Sequence, residues 1–182
     1  MTDHIATRMF GRSVKPQTTR WLRAAIGIVL VCIAAAALWQ YARPLSVLFA
    51  ALAINTVLEY HKVFTSRAPI DIEVVSLTTA YLSASYGFGW GFIMAVAGPV
   101  IAHAGINYFG DATVVKIVAA ISISIAATLF GASTFGLFGA VLVGMGVQFV
   151  IFTFVLGRNP LTNFIARITT IALTGYLLLL LR

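Results

Sequence analysis

The sequence predicts an all-α fold, a polytopic membrane bundle of six or seven transmembrane helices. Three observations predict it. Of 182 residues, 60% are hydrophobic and only 9% charged, whereas a soluble domain carries about 25% charged residues. The mean hydropathy is +0.99, and the apolar runs approach the roughly 20 residues that a bilayer-spanning helix needs. The breaks between these runs are short and marked by Gly, Pro and Asn, as turns between antiparallel neighbours are.

Residues 1–20 are polar and basic, and are expected to form a flexible cytoplasmic N-terminus ahead of a transmembrane domain at 21–182. The net charge is +7. Five of the twelve basic residues, Arg8, Arg12, Lys15, Arg20 and Arg23, lie in the first 23 positions. Such a cluster sets topology by the positive-inside rule and suits an anionic lipid surface. Nucleic acid is not an expected partner, because no basic face interleaved with stacking aromatics is visible. The run from Trp21 is longer than a signal-peptide core and leads into no cleavage site, so it is expected to stay as a helix. Cys32, the single cysteine, has no base beside it in sequence and is expected to pack.

The first helix is expected at 21–42, additional to a six-helix core at 44–181. Pro44 opens the second segment, 44–61, where a missing N–H costs nothing. The third, 71–87, follows the longest connection, 62–70. Gly87, Gly89 and Gly91 punctuate its join to the fourth, 89–109, in which Pro99 removes one backbone donor. The fifth is 113–131 and the sixth 134–156. Asn159-Pro160 is a turn signal before the seventh, 160–181. If all seven segments span with the N-terminus inside, Lys62, Arg67, Lys116 and Arg158 fall on the inside, and Arg43 and Arg182 outside. That predicts an integral protein of the cell (inner) membrane with a cytoplasmic N-terminus.

Small residues recur at helix-contact spacing. Gly87, Gly91 and Ala95 form one face, and Gly136, Ala140 and Gly144 another. In lipid, such faces let backbones approach closely, within one chain or against another membrane subunit.

Charge gathers in EYHKVFTSRAPIDIE, residues 59–73, which holds three of the five acidic residues. Charged groups within membrane segments are functional candidates by default. Asn55 and Glu59 share a helix face. Asp71 and Glu73 open the third segment, where they favour a helix N-terminus. Glu59 then pairs with Lys62 or Arg67, or else these acids rim a pocket for a cationic or hydrogen-bonding ligand. In the fourth segment His103 and Asn107 face the same way, and bond neighbouring helices or a ligand. His61 beside these acids matches no metal-ligand spacing, and no metal or other cofactor is expected. Ser122, Ser124, Gln148, Asn163 and Arg167 add further polarity. No nucleophile–base set, P-loop or dinucleotide fingerprint is present, so no enzymatic activity is expected.

The stretch APIDIEVVSLTTAYLSASYGFGWGFIMAVAGPVIAHAGINYF carries a resemblance. A polar loop with Pro69, Asp71 and Glu73 leads into a helix, and a Tyr86-Gly87…Gly91 turn leads into the next. From about Pro44 to the end, the chain resembles the substrate-binding S components of energy-coupling factor transporters, and is similar to the six-helix MreD cell-shape proteins. An S-component resemblance implies a small-solute pocket capped by the loop at 62–70, with Glu59, Asp71, Glu73, His103 and Asn107 as candidate contacts. It also implies docking to a membrane subunit driven by ATPases. It places that loop outside, where the basic residues place it inside. The MreD resemblance implies instead an interaction subunit without a ligand of its own.

Overall fold

The computed structural model describes residues 17–39, 42–59, 74–105 and 109–180. These residues form seven α-helices and no strand. The helices are α1 (Gln17–Leu38), α2 (Arg43–Glu59), α3 (Val75–Tyr86), α4 (Phe88–Gly105), α5 (Asp111–Phe130), α6 (Thr134–Val150) and α7 (Pro160–Leu180). A π-helical turn, Ile151–Val155, extends α6. The all-α bundle is as the sequence predicts. Four helices are long and apolar enough to cross a membrane: α4, α5, α6 with its π turn, and α7.

Local signals set the boundaries. Pro44 lies in the first turn of α2, and Pro160 is the first residue of α7. Asn159 Oδ1 accepts from the N–H of Leu161 at 2.9 Å, capping α7. Ser133 Oγ caps α6 by accepting from Gly136 N–H at 3.0 Å. Gly87 and Gly131 close α3 and α5 at φ 98° and 80°, a left-handed region that favours glycine. Pro99 lies inside α4 without ending it.

The shortest helix stands at the centre. α3 packs against α2, α4, α5 and α6, whereas α1 packs chiefly on α2. With 12 residues, α3 rises about 18 Å, well short of a hydrocarbon core of roughly 30 Å. Its buried residues are mostly small or hydroxylic, among them Ser76, Thr78, Thr79, Ala80 and Ser83, so neighbouring backbones come close. Thr78 Oγ1 donates to the Val74 carbonyl at 2.9 Å, and the Ser83 and Ser124 hydroxyls bond each other at 2.7 Å. These three hydroxyls thus have partners in a place without water.

The small-residue faces are buried between helices. Gly91 of α4 lies against Ser83 and Ser124, so a Cβ there would overlap the Ser83 hydroxyl. Gly144 of α6 sits on Ile123, with the Ala119 carbonyl 3.0 Å from where its Cβ would be. Ala95 and Ala140 have no exposed surface. Gly136 is buried against the carbonyls of Phe130 and Gly131 in the α5–α6 turn, while Gly87 is an exposed cap. Larger apolar side chains fill the remaining space in two groups. Ile123, Leu137, Val141 and Met145 surround Ala80, and Leu48, Val75, Leu82 and Met94 lie between α2, α3 and α4.

This packing separates two neighbouring glycines. Gly91→Ala is expected to break the Ser83–Ser124 bond and destabilise the protein by about 1–3 kcal/mol, as overpacking does. Gly89→Ala, in the first turn of α4 with open space around it, is expected to leave stability unchanged or raise it by about 0.4–1 kcal/mol. Denaturation of both variants in the same detergent checks this; equal effects would refute the close contact at Gly91.

Candidate functional site

The alternating direction of the helices brings one set of termini together. The C-termini of α2, α4 and α6 and the N-termini of α3, α5 and α7 share one end, here named the charged end. Lys116, in the second turn of α5, donates to Glu59 Oε1, on the last residue of α2, at 2.8 Å. Their side chains are 8% and 1% exposed. Two charges so removed from water are stable only as a pair, because an isolated ion in a low dielectric is far costlier than the dipole the two make together.

This pair corrects the sequence reading of Lys116. The residue was expected in an inside loop; it lies within α5 and buried, so it is not a loop charge. Lys62 and Arg67, the expected partners of Glu59, lie outside the described residues, as do His61, Asp71, Glu73 and Asn107. The sequence did carry a signal for Lys116. It stands in ATVVKIVAAIS, and a helix start two residues earlier than expected, at Asp111, moves it from the mouth of the helix to its second turn.

The other polar side chains at this end also join helices. Asn55, one turn before Glu59 and 1% exposed, accepts from the N–H of Val74 at 3.4 Å. It thereby serves the start of α3, where Val74 has no side-chain cap of its own. His103, buried near the end of α4, bonds Thr113 of α5 through Nδ1 at 2.6 Å. Thr113 Oγ1 also accepts from Gly110 N–H at 3.4 Å, closing the first turn of α5.

α7 presents a buried polar stripe, Asn163, Arg167, Thr170 and Thr174, while Phe164, Ile165 and Ile168 point outward. Asn163 Nδ2 donates to Thr153 Oγ1 at 2.9 Å and to the Phe149 carbonyl at 3.2 Å. The π turn begins two residues after Phe149, so Asn163 serves a carbonyl where the regular ladder changes register. The guanidinium of Arg167 lies 5.6 Å from the centre of the Phe152 ring, and that of Arg158 4.5 Å. Phe152 in turn packs on Ala112 and Val115 of α5.

Gln148 differs from these. It is wholly buried in the last turn of α6, and neither its Oε1 nor its Nε2 has a hydrogen-bond partner among the described residues. Gly144 packs against Ala119 and Ile123 of the antiparallel α5, so Gln148, one turn on, stands level with the turn that holds Lys116. Thr79 Oγ1 of α3, which packs against α6, is likewise buried without a partner. In the sequence Gln148 was only one polar residue in an apolar run.

Compared with protein-family models, with curated proteins and with solved structures, the chain matches none. Its apolar helices are compatible with an integral membrane protein, and the resemblance to S components and MreD rests on the residues quoted for it.

Removing one member of the buried pair leaves the other charged in the bundle. Glu59→Gln and Lys116→Met are each expected to destabilise the protein by about 3–5 kcal/mol, and the double variant by less than either alone. A double-mutant cycle from unfolding in detergent checks this; additive losses would show that the two side chains do not interact.

Proposed function

We propose that the chain is a non-enzymatic, polytopic membrane subunit that binds a small polar solute at the charged end of its bundle, as its resemblance to S components implies. The observation that carries this reading is the Gln148 carboxamide. A buried donor and acceptor left unmet cost about 1–3 kcal/mol each. A Leu or Met of similar size would avoid that cost. A solute offering one acceptor and one donor would satisfy both atoms. In this reading the protein sits in the cell membrane with a cytoplasmic N-terminus and works with other membrane subunits.

One observation favours a second reading, an MreD-like interaction subunit without its own ligand. Glu59 and His103, candidate contacts for a solute, bond Lys116 and Thr113. Their polarity then joins helices, and function lies on the outer faces.

Native mass spectrometry of the full chain, released gently from its membrane, separates the two. Solute binding predicts a small polar molecule carried by the wild type and lost from Gln148→Leu, with the empty variant as stable as the wild type or more so. A wild type that carries none, or a Gln148→Leu protein that carries the same molecule, would favour the interaction subunit.

A further inference from the structure

α1, α2 and the start of α3 enclose a groove of about 580 Å³, with Val74 and Thr78 at the end nearer the charged layer. Ala35 and Ala36 of α1 and Trp39 just after it line it, with Val47, Ala50 and Ile54 of α2 opposite. Cys32, expected to pack, is instead exposed and also lines it. The groove exists because α1 packs chiefly on α2 and meets it there through alanines, which leave space that larger side chains would fill. Its few hydroxyls are turned back on their own helices. Ser46 Oγ donates to the Ala42 carbonyl at 3.5 Å, and Thr78 Oγ1 to the Val74 carbonyl at 2.9 Å. The groove therefore offers contact to hydrocarbon and little to a polar ligand.

Its length and the basic residue at its outer end identify the occupant. The lining on α2 runs from Ser46 to Ile54, about 12 Å at 1.5 Å per residue. That is close to the depth of one leaflet, half of a hydrocarbon core of roughly 30 Å. A partner helix crossing the bilayer would need a seam about twice as long. Arg43 continues the groove-lining stripe of Val47, Ala50 and Ile54 by one turn, at the spacing that keeps residues on one face. It is exposed, and no acidic residue stands in the first turn of α2 to neutralise it. The cation adds to the positive end of the α2 dipole. Trp39, at the same end of the groove, is a residue type that sits at headgroup level.

We propose that this groove is a binding site for one anionic phospholipid, with an acyl chain against the alanines and the phosphate on Arg43. The lipid completes the contact between α1 and the rest of the bundle. The site is separate from the solute reading, because neither Gln148 nor Glu59 is among the residues that line it.

The test uses the full chain in nanodiscs containing equal parts phosphatidylglycerol and phosphatidylcholine, followed by native mass spectrometry of the released protein. The expected result is one phosphatidylglycerol retained per chain in preference to phosphatidylcholine. Ala36→Trp fills the groove from an exposed position and is expected to abolish that retention. Arg43→Gln leaves the groove open and is expected to retain a lipid while its preference for the anionic headgroup falls about fivefold, the worth of one basic residue near an anionic surface. Equal retention of both lipids by the wild type would overturn the proposal. So would retention unchanged in Ala36→Trp, or a polypeptide in place of the lipid.

Discussion

The Glu59–Lys116 ion pair is the interaction on which the charged end depends. It ties the last turn of α2 to the start of α5, two helices that both pack on α3 and α4. Both side chains are buried, so their bond fixes a register as well as a contact. Asn55, on the same face of α2, then stands where it can accept from the N–H of Val74, the residue before α3. His103 stands where it can reach Thr113 in the opening turn of α5. The two bonds differ in strength, but each turns a helix end that needs partners into a joint.

Below that layer the rules change from polar pairing to close approach. Lipid supplies no hydrophobic drive between helices, so association depends on packing and internal hydrogen bonds. α3 is suited to this because its buried face carries mainly Ser, Thr and Ala. Gly91 and Gly144 remove the side chains that would hold α4 off α3 and α6 off α5. A helix too short to span a bilayer is thereby held by four longer or similar neighbours. Of its polar groups, which would be costly against lipid, Ser83 is matched by Ser124 and Thr78 by the backbone.

The sequence made the helices legible, and the site much less so. Apolar runs interrupted at Pro44, Gly87 and Asn159-Pro160 placed the segments within a few residues, because Pro suits the first turn of a helix and Gly a left-handed cap. Such precision suffices for a fold class and fails for a buried charge. A shift of two residues at Asp111 decides whether Lys116 reaches an aqueous interface or an acid on another helix. The partner itself could not be read, since Glu59 and Lys116 are far apart in the chain and meet only through the packing of α2, α4 and α5. Gln148 was legible as a polar residue in an apolar run, but its lack of a partner is a property of three dimensions alone.

The two halves of the bundle thus hold their polar groups in opposite ways. At the charged end, polarity is drawn inward, and the described helices α2, α4 and α5 are locked by charge and hydrogen bond. Gln148 stands out there as a buried side chain whose donor and acceptor both lack a partner among the described residues. At the other end polarity faces outward, in Arg43 and Trp39, and the helix above them is held by alanines on a single neighbour. Alanine contacts contribute little area, so α1 is the helix whose attachment has most to gain from an additional apolar partner. A chain that spends its strongest interaction on fixing α2 against α5, and leaves α1 to a shallow contact with α2, makes α2 the common wall of two environments. One face carries Asn55 and Glu59 into the core; another carries Val47, Ala50 and Ile54 toward lipid. The near absence of amphipathic pattern along α2 follows from this: both faces are apolar for most of their length, and their difference lies in the few polar residues at each end.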